Sequence, residues 1–226
     1  FFERAVSLIE RLKGSGFGGL RLSMTVSRHN IDQLVGVAGL AQRFDLELGV
    51  IAAHPAHTHL GVDKTDTGPM PARLGVAFGS VVGRWLRSWS PKQWLRGHFL
   101  GYTYRYLTGC PMRFRCRAGE DFFFLQADGT VYHCSVQGRK LGDITTDDWE
   151  QIWGNSSAAD ARRFARHCTE RCWMICTARS VYRTKWWKII AWILVSKLLA
   201  HLRLFRLPEP KVVPSREDSS DANPSG

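Results

Sequence analysis

The first 109 residues of this 226-residue chain lack cysteine, and all six cysteines lie between Cys110 and Cys176. Long apolar runs are also missing, because the stretches 74–83 and 189–196 contain only ten and eight residues. A membrane-spanning helix needs about 20 apolar residues, so we exclude a multi-pass membrane protein. The clustering of the cysteines in one half of the chain instead predicts a local site.

Acidic residues are scarce as well, since 20 Asp and Glu stand against 31 Lys and Arg and leave a net charge of +11. This excess favours an anionic partner, such as a membrane surface or a phosphate group. The basic residues form no continuous run and no recognition motif accompanies them, so we expect no nucleic-acid partner. With 44% hydrophobic residues, the chain has the composition of a folded globular protein.

The N-terminal half alternates between helical and strand patterns. Residues 2–12 and 31–41 have helical period, whereas 20–27 and 46–53 are short apolar strands. Such alternation with short turns is typical of a parallel α/β layer. We also predict Asn30 and Ser90 as helix caps, the latter in a capping box, with helices over 74–89 and from Pro91 towards Tyr106.

The C-terminal half has a different sequence pattern, with short predicted strands and helices. Asp128-Gly129 separates two predicted strands, 121–126 and 130–134, and is a strong hairpin signal. Short helices are predicted over 147–153 and 158–167, and a basic, Trp-rich helix from Val181 to about Phe205. Residues 207–226 contain four of the nine prolines, so we predict a disordered tail.

The cysteines are spaced as Cys110-x5-Cys116-x17-Cys134-x33-Cys168-x3-Cys172-x3-Cys176. No signal peptide opens the chain, which disfavours a secreted disulfide scaffold and favours metal binding. Sulfur ligands select zinc, copper(I) or iron–sulfur clusters. Structural zinc sites often contain Cys-x2-Cys pairs, which are absent here, so spacing favours a cluster while zinc stays an alternative.

Several motifs resemble the SPASM/twitch C-terminal extension of radical S-adenosylmethionine (SAM) enzymes. They are Cys116-Arg117-Ala118-Gly119, Asp128-Gly129-Thr130-Val131-Tyr132-His133-Cys134, Gly142-Asp143-Ile144, Trp153, Arg162 and Cys168-x3-Cys172-Trp173-x2-Cys176. The first 60 residues resemble the late strands and helices of the partial β/α barrel that precedes this extension. The resemblance covers about residues 1–180.

This resemblance implies an α/β fold in four parts. Residues 1–109 would be the C-terminal part of a partial parallel barrel with linking helices, and 110–180 a cysteine-rich SPASM-like module of a β-hairpin and helices. A basic helix (181–206) and the tail (207–226) would follow. The chain begins inside a predicted helix and lacks the family's Cys-x3-Cys-x2-Cys motif, so we expect an inactive fragment whose catalytic cluster lies upstream of Phe1.

The cofactors implied are one auxiliary [4Fe-4S] cluster in this chain and, in the parent enzyme, S-adenosyl-L-methionine with a second [4Fe-4S] cluster. The auxiliary ligands would be Cys116, Cys134 and two of Cys168, Cys172 and Cys176, with Cys110 an alternative. In the resembled family, strand positions corresponding to Ser27, Val50 and Ile51 help to hold the cofactor.

His54, His57 and His59 follow the second predicted strand, where substrate contacts are expected. The substrate would be a small molecule, a peptide or a lipid-linked compound, and the electron donor a flavodoxin or ferredoxin.

The expected location is cytoplasmic, with peripheral contact at the inner membrane face, because cations and tryptophans alternate in residues 84–96 and 183–188. The alternative from a different class is a zinc-binding, non-catalytic module that docks on a membrane surface.

Overall fold

The computed structural model describes residues 2–27, 29–54, 74–110, 112, 114–170 and 172–208. Their fold is mixed α/β, which confirms the predicted class at this level. The predicted His57 and His59, and the tail from residue 209 onward, lie outside the described residues. The elements, in chain order, are α1 (Phe2–Gly14), β1 (Arg21–Val26), a 3₁₀ turn (Ile31–Gln33), α2 (Leu34–Arg43), β2 (Glu47–Ala52), α3 (Leu74–Arg87), α4 (Pro91–Leu107), β3 (Phe124–Leu125), β4 (Thr130–Tyr132), β5 (Lys140–Asp143), α5 (Trp149–Gly154), α6 (Ser156–His167), α7 (Ile175–Thr184) and α8 (Trp186–His201).

Strands β1 and β2 pair in parallel, as the alternation of helix and strand predicts, with Met24 opposite Val50. One face of this pair is covered by helices and contributes to the main core, which also takes in side chains of α2, α3, α4 and α8. The strand residues on the covered face are Met24, Val26, Leu48, Val50 and Ala52. The opposite face carries Ser23, Thr25 and Ile51, which are half-buried or exposed.

Asn30 and Ser90 stand at helix-capping positions as predicted, Asn30 before the 3₁₀ turn and Ser90 before α4, but in the described ranges neither side chain makes the cap hydrogen bond. The side chain of Asn30 accepts a hydrogen bond from Ser27 N (2.9 Å) and donates one to Thr25 O (2.9 Å), so it closes the turn after β1. Helix α4 begins at Pro91 as predicted, and Ser90 has the extended backbone of a capping residue. Within the described part of the chain, however, the Ser90 hydroxyl makes no cap hydrogen bond.

A three-stranded antiparallel sheet, in the order β3-β4-β5, follows the helices. The hairpin of β3 and β4 is confirmed, and its turn requires glycine because Gly129 has φ +92°. A Cβ at this position would also lie 2.6 Å from Thr145 Cγ2. Strand β5, which the sequence pattern does not reveal, contributes Leu141 to a small core with Val131 and Ile152.

The predicted single helix from Val181 to about Phe205 is instead two helices, α7 and α8. The chain leaves the helical conformation at Lys185, where φ is −130° and ψ is 32°. This break redirects α8 so that Ile189, Ile193 and Ala200 are buried, with Ala200 in the main core. No helix in the described ranges is sufficiently long and apolar to span a bilayer.

Candidate metal centre

Five of the six cysteines line one cavity of about 220 Å³ in the C-terminal half. They are Cys116, Cys134, Cys168, Cys172 and Cys176, all partly buried and all with free thiols. The remaining walls are largely apolar and include Phe122, Phe123, Phe124, Val136 and Met174. Sulfurs that are far apart in sequence are therefore brought together in a shielded space, and a multi-atom cluster with thiolate ligands fits this donor set.

Each sulfur comes from a different local structure. Cys116 precedes the hairpin, Cys134 directly follows β4, and Cys168 lies just after α6. Cys172 stands in the segment before α7, and Cys176 lies in the first turn of that helix. The cavity is thus built by turns and helix ends, where backbone N–H groups are left free to contact sulfur.

Cys134 lies in the most polar part of the wall. The backbone N–H of Gln137 donates a hydrogen bond to its Sγ (3.3 Å), and His133 Nε2 lies 3.5 Å from the same sulfur. The His133 ring is almost fully buried and packs edge-on against Phe164. Hydrogen bonds to a ligand sulfur stabilise its thiolate form and tune a bound cluster.

Burial favours the neutral form of these thiols. It raises the pKa of Cys116 to about 11, and it also raises the pKa values of Cys134, Cys172 and Cys176. The neighbouring cysteines raise the pKa of Cys172 further, because thiolates in one cavity repel each other. A positively charged metal centre would lower these pKa values, since it binds the deprotonated sulfurs.

Arg162 connects the turn after Cys116 to the helices. Its Nε donates to Gly119 O (2.7 Å), and a terminal nitrogen donates to Trp153 O (2.6 Å). Gly119 has φ +76°, and a Cβ there would lie 3.4 Å from Arg162 Cγ. The Cys116-to-Gly119 motif and Arg162 are therefore parts of one structural unit.

Trp173, between two of the cysteines, joins the cavity to α4. Its ring is fully buried and packs against Phe99, Tyr102 and Phe114. The indole Nε1 donates a hydrogen bond to Phe99 O (2.9 Å). This side chain therefore fixes the segment that carries Cys172 and Cys176 against the α/β layer.

Cys110 is separate from the five cavity-lining cysteines. It follows the end of α4, and Thr108 Oγ1 donates a weak hydrogen bond to its sulfur (3.6 Å). Among the described residues, no group of three or more His, Cys, Asp and Glu side chains could hold a single metal ion.

The predicted cofactor-contact residues lie at the parallel strands and are divided between two faces. Val50 is buried under the helices, whereas Ile51 is 41% exposed on the opposite face. Ser27 directly follows β1, and its backbone N–H donates to the Asn30 side chain. The structure thus places the Ile51 side chain on the uncovered face, the Val50 side chain in the core, and Ser27 in the turn that follows β1.

His54 follows β2 and is buried, which lowers its pKa to about 4. Its Nδ1 lies 2.7 Å from Ala52 O, and its ring stacks on Tyr106 with 4.5 Å between centroids. Burial raises the pKa of the Tyr106 phenol, and the nearby Cys172 and Glu170 add to this effect. Sequence reasoning missed Tyr106, because its position in α4 is indistinguishable from an ordinary helical core residue.

Comparison with known proteins identifies this module. Residues 116–177 match the SPASM family, which is described as an iron–sulfur cluster-binding domain. This segment is a SPASM domain. The match spans all five cavity-lining cysteines, from Cys116 to Cys176, and begins after Cys110. The resemblance stated from the cysteine motifs is therefore confirmed.

Curated relatives match a longer part of the chain than the SPASM segment. The chain is 28% identical over 159 residues to mycofactocin maturase MftC of Mycobacterium ulcerans. This alignment covers 69% of the chain and 42% of the relative. It is 26% identical over 162 residues to the protein of that name from Mycobacterium tuberculosis. That alignment covers 69% of the chain and 40% of the relative. The chain thus spans about two fifths of the length of these relatives. No solved structure matches it.

Proposed function

We propose that the chain is the C-terminal part of a radical SAM modifying enzyme, an oxidoreductase, whose SPASM domain holds one auxiliary [4Fe-4S] cluster. The convergence of five thiols on one apolar-walled cavity is the observation that carries this proposal. The uncovered face of the β1-β2 pair supports the idea of a partial barrel, because the lumen side of such a barrel carries no helices.

The ligands in this proposal are Cys116, Cys134 and two of the three cysteines 168, 172 and 176. Backbone N–H groups already contact several of these sulfurs, that of Gln137 at Cys134 and those of Ala118 and Thr177 at Cys116 and Cys176. Cys110 is the weakest candidate, because it does not line the cavity with the other five. The fifth cavity thiol would remain close to the bound cluster without coordinating it.

When bound, the auxiliary cluster would supply a site that accepts an electron from the substrate or anchors it. The residues of this chain would control its surroundings. Phe122, Phe123 and Phe124 line the cavity and limit the access of water, while the hydrogen bonds to Cys134 set the charge at one ligand sulfur.

The substrate site would lie at the carboxyl ends of the parallel strands, where Ser27, Ile51 and His54 are found. The neutral His54 ring donates from Nδ1 to Ala52 O, which leaves Nε2 as an acceptor that is buried and has no hydrogen-bond partner among the described residues. His57 and His59 remain predictions of the sequence for the same site, and Ser27, Val50 and Ile51 remain its predicted contacts of the SAM cofactor. In the parent enzyme, hydrogen abstraction would use a 5′-deoxyadenosyl radical generated from SAM at a catalytic cluster outside this chain.

A peptide is the substrate class that we favour, because the relatives are named as maturases. A small molecule or a lipid-linked compound are the other classes that the sequence suggests. The electron donor would be a flavodoxin or ferredoxin. We also propose a cytoplasmic location with peripheral membrane contact through the basic, Trp-rich helix.

The competing function is a zinc-stabilised, non-catalytic module that docks on a membrane. Thiolates bind zinc tetrahedrally at about 2.3 Å, so four of them would close around one ion and leave little free volume. A cavity of about 220 Å³ lined by five sulfurs is better matched to a cluster of several atoms.

Anaerobic reconstitution with iron and sulfide separates the two functions. We expect about four irons and four sulfides per chain, with charge-transfer absorption near ~400 nm. The variant Cys134→Ser should lose most of this iron, whereas Cys110→Ser should retain it. A colourless chain that binds one zinc ion and no iron would refute the cluster.

A further inference from the structure

The side of α8 that faces away from the protein is apolar along its whole length. The exposed side chains have exposures of 47–61% and are those of Trp186, Trp187, Ile190, Leu194, Val195 and Leu198, here called the outer stripe. Their spacing places them on one side of the helix. Ile189, Ile193 and Ser196, on the other side, are buried. An apolar surface that extends over more than three helical turns marks an interaction site.

The apolar surface continues beyond both edges of the helix. Leu202 and Leu204, after its C-terminus, are 58% and 63% exposed. Trp89, from the turn between α3 and α4, is 91% exposed, and its ring centre lies 5.7 Å from Lys197 Nζ. Isolated exposed apolar residues are common in proteins, but a contiguous group of this size is not.

The charged residues of the segment that carries the outer stripe are all basic. Residues 172–208 include seven Lys and Arg but no Asp or Glu. Lys188 and Arg203 are exposed beside the stripe, with Arg183 and Arg206 nearby in sequence. Lys197 has an internal role, because its ammonium donates to Leu86 O and Ser88 O (both 2.9 Å). The surface is therefore complementary to a partner that is apolar and carries negative charge.

The packing of α8 leaves one side of the helix available for contact with such a partner. The helix rests on α3 and α4, and Trp192 fills the space over Gly101, where an added Cβ would lie 3.4 Å from the indole. Because the buried side of α8 is fixed against α3 and α4, only the outer stripe can enter an apolar layer. The helix axis would then lie parallel to the surface of that layer. This is the arrangement of interfacial helices, in which tryptophans lie at the level of the lipid headgroups and cations contact the phosphates.

We propose that the outer stripe of α8 binds the surface of an anionic lipid bilayer. Trp186, Trp187 and the leucines would enter the interface, while Lys188 and Arg203 would contact lipid phosphates. This inference specifies the membrane contact of the proposed function by naming its residues and lipid charge. It does not depend on whether the SPASM domain holds iron.

Vesicle flotation of the full chain tests the proposal, with vesicles of phosphatidylcholine alone and vesicles with about 30% phosphatidylglycerol. We expect binding to the anionic vesicles that weakens as salt is raised. The double variant Leu194→Gln/Leu198→Gln should weaken binding by about tenfold or more, because it removes two inserted side chains. Lys188→Gln/Arg203→Gln should also weaken it and should reduce the salt dependence. The matched control is Leu8→Gln, at a residue of α1 that is 52% exposed.

Two results would overturn the proposal. One is that the leucine double variant binds anionic vesicles as strongly as the unchanged chain and the Leu8→Gln control do. The other is a lipid-free dimer, detected by light scattering and abolished by the same double variant, because the stripe would then be covered by a second copy. Iron and sulfide content measured on the same preparations reports separately on the cluster, so failure of one proposal is distinguishable from failure of the other.

Discussion

The α/β layer and the SPASM domain achieve order by different means. In the layer, aliphatic and aromatic side chains from two strands and four helices form one continuous core. The SPASM domain has a small core around Val131, Leu141 and Ile152, a second cluster around Trp173, and the cavity that its thiols line. A hydrophobic pattern specifies the first region, whereas the second depends on particular turns and on what its sulfurs bind.

This difference has an energetic consequence. Four cavity thiols have raised pKa values because burial disfavours the thiolate, so the metal-free domain encloses groups that contribute little to its stability. Metal binding to preorganised thiolates contributes directly to folding free energy. We therefore expect the stability of the SPASM domain to depend on its cluster much more than that of the layer does.

The contact between the two regions can be broken at Trp173. Replacing this fully buried ring in Trp173→Ala should lower the free energy of unfolding by about 3–5 kcal/mol. Chemical denaturation should then show separate transitions for the two regions. Trp173→Phe keeps an aromatic ring but loses the hydrogen bond to Phe99 O and leaves a smaller cavity, so it should cost about 1–3 kcal/mol. Equal losses for the two variants would contradict this account of the junction.

Glycine substitutions should have opposite effects in the two regions. Gly129→Ala should lower the free energy of unfolding by about 2–3 kcal/mol, because the positive φ is unfavourable for alanine and the new Cβ would contact Thr145. Gly36→Ala in α2 has open space around the new Cβ and should raise it by about 0.5–1 kcal/mol. Urea denaturation of both variants measures the contrast, and a neutral Gly129→Ala would show that the turn relaxes without cost.

The smallest effect concerns acid stability of the layer. Hydrogen bonds from Lys92 and then Arg96 lower the pKa of Glu47 to about 2, and these contacts connect β2 with α4. Because the folded-state pKa lies below the unfolded value, the stabilisation is present above the unfolded pKa of 4.5 and is lost as pH falls towards 2. Thermal melts of Glu47→Gln should therefore differ from those of the unchanged chain at neutral pH and converge with them in acid. A constant difference across this range would assign the effect to packing.

The sequence predicts the layer well because its signals are local and periodic. Alternating helix and strand patterns gave α1, β1, α2 and β2, and the Asp128-Gly129 turn gave the hairpin. Strand β5 was missed because Lys140-Leu141-Gly142-Asp143 is too short and polar to show alternation. The break at Lys185 was missed because no glycine or proline marks it, and the cause is the packing of α8 on the layer.

The candidate site was predicted from spacing, and the structure added its surroundings. The cysteine motifs singled out the sulfurs that line the cavity, but spacing could not separate Cys110 from the others. Tyr106 stacks on His54 through a contact between residues 52 positions apart, which no local pattern encodes. The opposite orientations of Val50 and Ile51 follow from strand alternation and could have been inferred earlier.

The indole of Trp173 connects the thiol-lined cavity to helix α4. It stands one residue after Cys172 and three before Cys176, and its nitrogen is fastened to the backbone of α4. The position of the segment that carries both sulfurs therefore depends on the position of that helix. Tyr106, which stacks on His54, belongs to the same helix, so α4 joins the carboxyl end of β2 to the segment that carries the thiols.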